Sequence, residues 1–306
     1  MSTPIVLDCD PGHDDAIAML LALASPELEV RAVTTVAGNQ TLAKTTINAL
    51  KVLELAGRGD VPVAAGCDRP LRRPLFTAAG VHGETGLDGP ALPEPRVRPV
   101  DAHAVDLLYR TIEPGVVVVA TGPLTNVALL LERHPDVRDR AEAIVWMGGA
   151  CGAGNVTPSA EFNAFVDPEA AAAVFSAAIP LTMVGLDVTQ QALFNRGHAD
   201  RLRPAGPAGR FVAELSDFFF PVYERWYGTA GAPLHDALAV AQVIDPTLVS
   251  TAHVNVEVET ASSFCDGRTV VDLRAVTGRP PNARVGVAVD APRFLDLLCT
   301  RIGALR

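Results

Sequence analysis

Short apolar runs alternate with amphipathic segments over residues 1–190 of the chain. The runs are rich in Val, Ile and Leu and predict β-strands at 5–7, 28–36, 61–64, 116–120, 143–147 and 181–185. The segments between them carry apolar residues at helical spacing and predict helices at 14–23, 42–56, 101–112, 124–133 and from 167 onward. Because strands separated by helices form right-handed βαβ units, we expect an α/β fold with a mostly parallel central sheet flanked by helices. No repeat, low-complexity tract or linker interrupts this pattern, so we expect one domain over 1–306.

The remainder of the chain has a different pattern. It predicts three further helices, at 208–227, 237–244 and 291–302. Residues 254–289 alternate with a period of two, which predicts two or three strands near the C-terminus, and we expect antiparallel pairing there. Two stretches, 66–99 and 152–165, lack a regular pattern. Irregular stretches of this length are typical of loops over a functional site.

Four carboxylates lie close together in the sequence, where the first predicted strand ends: Asp8, Asp10, Asp14 and Asp15. Carboxylates so close repel one another unless positive charge lies among them. The N-terminus of the following helix supplies about half a charge, and a hard divalent cation with oxygen ligands would supply the rest. Helix capping explains Asp14 or Asp15, but not Asp8 and Asp10, which precede the Pro11-Gly12 turn. The pattern therefore predicts a metal or catalytic site.

The charge balance excludes several classes of partner. A net charge of −10, with Lys44 and Lys51 as the only lysines, argues against nucleic-acid binding and against an anionic membrane surface. No apolar run is close to the length of a membrane span. The N-terminus lacks the charged, apolar and cleavage-site segments that follow one another in a signal peptide. The five cysteines form no Cys-x-x-Cys pair, which is typical of a reducing compartment. We therefore expect a cytoplasmic protein.

Polar residues follow several predicted strands at their C-terminal ends. Asp10, Asn39, Thr121 and the loop after Met147 occupy such positions. In a parallel sheet these ends share one edge, where ligands bind. Further donors and acceptors suited to hydroxyl groups follow at Asn155, Glu161 and Asn163, and Asp236 offers another carboxylate. These residues predict a site for a small polyol beside the carboxylates.

A set of short motifs keeps its order from residue 5 to about residue 240. The motifs are Asp8-Cys9-Asp10-Pro11-Gly12-His13-Asp14-Asp15-Ala16, Gly38-Asn39, Ala120-Thr121-Gly122-Pro123-Leu124-Thr125-Asn126, Met147-Gly148-Gly149, Gly154-Asn155, Ala160-Glu161-Phe162-Asn163, Asp167-Pro168-Glu169-Ala170 and His235-Asp236-Ala237. Together they resemble the motifs of the nucleoside hydrolases, the inosine-uridine-preferring group. A lone Asp-x-Asp would be unspecific, but the ordered set is not.

The resemblance implies a Rossmann-like fold and an enzyme that hydrolyses the N-glycosidic bond of ribonucleosides, with one tightly held Ca²⁺. By motif position, the calcium ligands are Asp10, Asp15, Asp236 and the backbone carbonyl of Thr121. The ribose contacts are Asp14, Asn39, Asn155, Glu161 and Asn163, with Met147 beneath the sugar. Asp8 matches the signature and is expected to support the site structurally, and Thr125 and Asn126 are expected to form only the start of a helix. The family commonly forms homodimers or homotetramers, so we expect self-association.

The implied chemistry needs a base on one side of the sugar and a proton donor on the other. Calcium orients and acidifies a water, and Asp10 is the candidate general base. The nucleobase leaves neutral or protonated, so a donor is required, and His235 is the first candidate by motif position, with His82 the second. Tyr223 and Tyr227 share a helix face and are candidates for the base pocket.

The base preference follows from these side chains. After His235 the chain has neither Trp nor Tyr, so the aromatic wall of some purine-preferring members looks weak here. Similar His and Tyr sets occur in relatives that act on pyrimidine nucleosides. We therefore expect hydrolysis of uridine or cytidine to be at least as efficient as hydrolysis of inosine. Phe218, Phe219 and Phe220 are expected in the core, and His13 is expected to support its turn.

Three other interpretations compete with this one. A haloacid-dehalogenase-like phosphotransferase also has Asp-x-Asp after its first strand, but Gly12 replaces the residue that family favours, and both lysines are misplaced. A non-catalytic ribose or nucleoside receptor would bind nucleosides without turnover. A purine-preferring nucleoside hydrolase would share the metal and ribose residues and differ only around the base.

Overall fold

A central parallel sheet organises the computed structural model, which describes residues 2–305. The strands are β1 Thr3–Cys9, β2 Leu28–Thr35, β3 Val63–Ala65, β4 Val117–Ala120, β5 Ala143–Met147, β6 Leu181–Val184, β7 Leu193–Asn195, β8 Gly231–Pro233, β9 Val249–Val254, β10 Val256–Val258, β11 Thr269–Val271 and β12 Ala283–Val289. Within the described residues, eight of them form one sheet in the order β3-β2-β1-β4-β5-β6-β12-β9. Only the edge strand β9 is antiparallel to its neighbour in that sheet. The pairs β10–β11 and β7–β8 form two small antiparallel ribbons.

Helices cover both faces of this sheet. They are α1 His13–Ala24, α2 Leu42–Leu55, α3 Ala79–His82, α4 Ala104–Thr111, α5 Thr125–Arg133, α6 Phe162–Val166, α7 Pro168–Phe175, α8 Leu186–Thr189, α9 Arg196–Leu202, α10 Gly206–Tyr227, α11 His235–Ile244 and α12 Ala291–Ala304, with a 3₁₀ turn at Pro135–Asp139. Along β1, Ile5 and Leu7 enter one buried cluster with α1 and α11, whereas Val6 enters the other, with α4 and α5. A strand buried on both faces must be apolar at successive positions, which explains its continuous apolar sequence.

The expected α/β fold with a mostly parallel sheet is confirmed, and the C-terminal region needs one correction. The β10–β11 ribbon is antiparallel as expected. The last strand of the alternating region, β12, instead joins the main sheet parallel to β6, and its antiparallel partner β9 begins before residue 254. Pairing with a strand a hundred residues earlier leaves no local signal in the sequence.

The two stretches expected to be irregular each contain a short helix. Helix α3 lies within 66–99 and ends at His82, and α6 follows Glu161 at the end of the second stretch. The elements α8, β7, α9 and β8 were also not predicted, because each is too short for a periodicity to emerge. None of the helices within residues 2–305 is long and apolar enough to cross a membrane.

Candidate active site

The carboxylates converge where β1 meets α1. Asp14 and Asp15 lie in the first turn of α1, and Asp236 lies in the first turn of α11, which packs against α1. Each of the three offers an oxygen within 4.8 Å of the others, and all three side chains are buried. The fold therefore brings Asp236 next to two carboxylates that precede it by more than two hundred residues.

Asp10 lies beside this trio in a space that two glycines keep open. A Cβ on Gly38 would lie 2.1 Å from Asp10 Oδ2, and one on Gly122 would lie 2.6 Å from Oδ1. The backbone N–H of Asn39 donates to Oδ2 at 2.6 Å. Oδ1 is buried and has no hydrogen-bond partner within residues 2–305. A buried carboxylate oxygen with an unused lone pair is suited to a cation or a proton.

Asp15 is held by four hydrogen bonds. Its Oδ1 accepts from the hydroxyl of Thr121 at 2.7 Å and from the backbone N–H of Asp10 at 3.3 Å. Its Oδ2 accepts from the side-chain amide of Asn39 at 3.0 Å and from the N–H of Gly12 at 3.1 Å. These donors come from three strand ends and the start of α1, so the carboxylate has one fixed orientation.

Burial shifts the titration of the whole cluster. It raises the pKa of Asp14 to about 7 and lifts the pKa of Asp10 and that of Asp236 well above their ordinary value. The charge on neighbouring carboxylates, Asp15 among them, raises the pKa of each further. A divalent cation would offset both the desolvation and the repulsion.

Asp8 lies apart from this cluster. Its Oδ1 accepts from the Thr34 hydroxyl at 2.6 Å and from the Asn126 amide at 2.8 Å. Burial raises the pKa of Asp8 to about 6. Asn126 also accepts from the N–H of Cys67 at 2.9 Å, and so does more than begin a helix. These bonds connect β1, β2 and the start of α5 with the segment after β3, which fits the structural role expected of Asp8.

A cavity of about 270 Å³ opens above the carboxylates. This volume is close to the lower end of small-molecule sites, roughly 300–1,000 Å³. Its lining includes most of the site residues expected from the sequence: Asp14, Asn39, His82, Thr121, Met147, Asn155, Glu161, Asn163, Tyr223, Tyr227, His235 and Asp236. Asp10 and Asp15 lie beneath these lining residues. The expected constellation is therefore assembled in one place.

Glu161 and Asn163 are oriented by the backbone around them. The Glu161 carboxylate caps α6 by accepting from the N–H of Asn163 at 2.9 Å and that of Ala164 at 3.1 Å. The Asn163 amide donates to the carbonyls of Thr121 at 2.8 Å and Met147 at 3.0 Å. With its N–H₂ group so engaged, Asn163 presents its oxygen as the free acceptor. Burial raises the pKa of Glu161 to about 7.

His235 connects α11 to the aromatic helix α10. Its Nδ1 lies 2.7 Å from the Thr189 hydroxyl, and its Nε2 lies 3.2 Å from the Tyr223 hydroxyl. Burial lowers the pKa of His235 to about 4 and raises the pKa of Tyr223 well above its ordinary value. Both groups are therefore neutral near pH 7. Since a hydroxyl both donates and accepts, Tyr223 can pass a proton between the cavity and His235.

His82 is buried and held from below by His13. The backbone N–H of His13 donates to His82 Nδ1 at 3.2 Å, which leaves the proton of neutral His82 on Nε2. His13 itself stacks on Phe218 and Phe219 at 5.2 Å and bonds through Nε2 to the carbonyl of Asp88 at 2.8 Å. Burial holds the pKa of His82 well below its ordinary value and lowers that of His13 to about 4. The His13 side chain thus connects α1 to the segment that carries His82 and Asp88, instead of supporting only its own turn.

The cavity mouth carries aromatic residues that sequence reasoning missed. Phe76, Phe162 and Trp226 line it, and Phe76 and Trp226 are 48% and 53% exposed. The expectation of a weak aromatic wall considered only residues after His235 and is revised. Phe76 lies in the unpatterned stretch, and Trp226 adjoins Tyr227, which was a signal. Of the phenylalanines expected in the core, Phe219 and Phe220 are buried and Phe218 is half-buried.

Comparisons with known proteins agree with this geometry. A family model described as inosine-uridine preferring nucleoside hydrolase matches residues 5–296. Pyrimidine-specific ribonucleoside hydrolase RihA from Salmonella paratyphi C is 52% identical over 308 residues, and the match covers 99% of each chain. RihA from Citrobacter koseri is also 52% identical, with 99% of this chain and 98% of that protein covered.

Solved structures give the same result. A purine-preferring ribonucleoside hydrolase from Gardnerella vaginalis superposes with a TM-score of 0.93 at 36% identity, covering 99% of this chain and 98% of that one. A plant nucleoside hydrolase superposes with a TM-score of 0.92 at 34% identity, covering 99% and 100%. The chain thus belongs to the inosine-uridine preferring nucleoside hydrolases and is an enzyme that hydrolyses the N-glycosidic bond of ribonucleosides.

Proposed function

We propose that this hydrolase acts on pyrimidine ribonucleosides and uses a Ca²⁺ ion held by Asp10, Asp15, Asp236 and the backbone carbonyl of Thr121. The observation that carries the proposal is the buried Oδ1 of Asp10, which has no hydrogen-bond partner within residues 2–305, next to three convergent carboxylates. Carboxylate and carbonyl oxygens are the ligands that Ca²⁺ prefers. The residues therefore fit the ion.

The bound ion supplies positive charge among the carboxylates and makes a nearby water more acidic. Asp10 would hold the ion through Oδ1, and it accepts the proton of the attacking water because each carboxylate oxygen has a second lone pair beside the one used by the ion or by the Asn39 N–H. As the C–N bond breaks, positive charge develops on the ribosyl ring. The buried carboxylates of Asp14 and Asp236 stabilise that charge more than they stabilise the neutral substrate.

The ribose lies against the lining residues with fixed polar groups. Asp14, Asn39, Asn155, Glu161 and Asn163 bind its hydroxyls, and Met147 packs beneath the ring. The side chains of Asn155, Glu161 and Asn163 are already oriented by hydrogen bonds with backbone groups, so little reorganisation accompanies binding.

The departing base is protonated from the opposite end of the cavity. Burial lowers the pKa of His235 to about 4, so its protonated form is a minority species in the free enzyme. That form gives its Nε2 proton to the Tyr223 hydroxyl at 3.2 Å, which in turn passes its own proton to the base, so that His235 ends neutral. His82 offers a second N–H, because its Nδ1 accepts from the backbone of His13. Tyr227 stacks on Tyr223 with ring centroids 5.2 Å apart and completes this side of the pocket.

The pyrimidine preference is supported by three observations. The relatives at 52% identity are named as pyrimidine-specific, and the match covers 99% of this chain. Both histidines and both tyrosines line the cavity, where their donors can reach the carbonyl oxygen and ring nitrogen of a small base. The cavity volume of about 270 Å³ also favours a small base.

A purine preference is the second candidate, and the aromatic mouth favours it. Phe76 and Trp226 offer a larger stacking surface than the sequence indicated. The Gardnerella enzyme, named as purine-preferring, shares the fold at 36% identity.

A substrate panel tests the preference. Specificity constants for uridine, cytidine, inosine, adenosine and guanosine are measured chromatographically by release of free base. We expect uridine or cytidine to be hydrolysed at least as efficiently as inosine. Inosine strongly preferred over both pyrimidine nucleosides would establish the second candidate instead.

Assembly and location stay predictions. We propose a homodimer or homotetramer, which light scattering coupled to gel filtration would measure. We also propose a cytoplasmic location, which cell fractionation would measure.

A further inference from the structure

The turn after β5 connects Glu161 to the rest of the sheet. Two of the donors to the Glu161 carboxylate, the N–H groups of Asn163 and Ala164, belong to the helix that Glu161 caps. A third donor, the N–H of Gly149, lies 2.8 Å from Oε2 and comes from the turn that follows β5. The N–H groups of Asn163 and Ala164 can move together with α6. The bond from the Gly149 N–H therefore fixes the position of the Glu161 carboxylate relative to the end of β5.

Thr269 on β11 holds the turn at Gly149 and Ala150. The Thr269 hydroxyl accepts from the N–H of Ala150 at 2.8 Å and donates to the carbonyl of the same residue at 2.7 Å. Thr269 and Ala150 are each 2% exposed, so water cannot replace these bonds. One side chain thus satisfies both polar backbone groups of Ala150 across 119 positions of sequence.

Gly149 is tightly packed against Thr269 and Met183. Gly149 has a φ of +71°, and a Cβ there would lie 2.8 Å from Thr269 Cγ2 and 2.8 Å from Met183 Sδ. A glycine is required both by the backbone conformation and by the close approach. Any displacement of the Thr269 side chain is therefore transmitted directly to the residue whose N–H binds Glu161.

We propose that Thr269 is a positioning residue for ribose binding, which holds the Gly149–Ala150 turn so that the Gly149 N–H orients the Glu161 carboxylate into the cavity. The proposal rests on the proposed function only in taking Glu161 as a ribose contact. Thr269 lies in the region of the chain that the family motifs leave undescribed, and it does not line the cavity.

The test removes the hydroxyl and keeps the shape. Thr269→Val should lower kcat/KM for uridine roughly 10- to 100-fold, because small misplacements of a binding group have effects of that order. Thr269→Ser should retain near-wild-type kinetics, since it keeps the hydroxyl. Thr277→Val is the matched control. It also removes a hydroxyl, which is bonded to Asp272 at 2.6 Å, from the segment between β11 and β12, away from the Gly149–Ala150 turn.

A double-mutant cycle separates positioning from a loss of stability. If Thr269 acts through Glu161, then Thr269→Val should have little further effect on kcat/KM in a Glu161→Gln background. The 2′-, 3′- and 5′-deoxyuridines each lack one hydroxyl. The loss of kcat/KM caused by Thr269→Val should also vanish with the one that lacks the hydroxyl bound by Glu161. A purely structural role would lower the melting temperature and leave these ratios unchanged.

The outcomes are distinct. Wild-type kinetics for Thr269→Val, or an equal loss with and without Glu161, overturns the proposal. If the valine variant does not fold, Thr269→Ser and Thr269→Ala differ only by the hydroxyl, and equal kcat/KM for that pair overturns it as well. A Glu161→Gln variant with normal kinetics overturns both this inference and the assignment of Glu161 to ribose binding. If Glu161→Gln has impaired kinetics while Thr269→Val has normal kinetics, only this inference is overturned.

Discussion

The floor and the mouth of the cavity differ in where their residues come from and in how they are held. On the floor, Asp10 and Asp15 follow one strand, and each of their carboxylates accepts backbone or side-chain donors from neighbouring strand ends. At the mouth, Phe76 and Trp226 come from an irregular stretch and from the last turn of α10, and both are about half exposed. Reaction chemistry needs fixed groups, whereas a base-binding surface tolerates substitution. We therefore expect the metal and the general base at the sheet edge, and the choice of base at the mouth.

The largest effect is expected on the floor. Asp10→Asn should lower kcat for uridine by at least roughly 10²–10⁴, the usual contribution of a general base, and further if metal binding is lost too. Removal of divalent cations with a chelator should abolish activity in the same way. Steady-state kinetics and metal analysis check both outcomes, with readdition of Ca²⁺ as the control. Full activity in the metal-stripped enzyme would rule out the calcium mechanism.

The next prediction compares the two ends directly. His235→Ala and His82→Ala should each lower kcat for uridine by roughly 10²–10⁴ if that side chain lies on the proton path. Both variants should retain near-wild-type activity on 4-nitrophenyl ribofuranoside, because nitrophenolate leaves without a proton. Asp10→Asn should be inactive on both substrates. Equal losses of the histidine variants on the two substrates would assign these residues to binding instead of proton transfer.

A smaller effect is expected at the mouth. Trp226→Ala removes a half-exposed ring, so the fold should be unaffected and KM for uridine should rise about 2- to 13-fold, equivalent to roughly 0.5–1.5 kcal/mol of stacking. The rise should be larger for inosine, because a purine presents a larger face. Phe264→Ala is the matched control, since Phe264 is 86% exposed and does not line the cavity. Unchanged constants for both nucleosides would exclude Trp226 from base binding.

The same contrast decides what could be predicted from the sequence. The floor was predictable, because Asp10, Asn39 and Thr121 each follow an apolar strand, and parallel strands bring their ends to one edge. The mouth was not, because Phe76 lies in a stretch with no periodicity. Thr269 was also missed, since its partner Ala150 is 119 residues away and a buried threonine has no local pattern. Motifs locate chemistry, while the packing that supports it depends on pairings distant in sequence.

The smallest effect concerns how the stretch carrying Phe76 is attached. Arg73, three residues before Phe76, makes a two-point ion pair with Glu169 through Nε and Nη2, each at 2.9 Å, and also contacts Asp266. This pairing lowers the pKa of Glu169 below its ordinary value of 4.5. A carboxyl group whose pKa is lower in the folded state stabilises the fold above its unfolded pKa, and loses that contribution as the pH falls through the folded pKa.

We therefore expect Glu169→Gln to lower the free energy of unfolding by about 1 kcal/mol at pH 7, a value near the upper end for partly exposed pairs. The difference from wild type should shrink as the pH falls below 4.5, since protonated Glu169 then resembles glutamine. Urea denaturation at pH 7 and at pH values below 4.5 measures both differences, and Glu132→Gln, at an exposed position, is the matched control. If the difference between Glu169→Gln and wild type does not depend on pH, the ion pair contributes nothing to the attachment. The stretch bearing Phe76 is then held by its other contacts, which include the Leu71 N–H on Asp167 Oδ2 at 2.8 Å and the packing of Phe76 on Phe162 and Phe165.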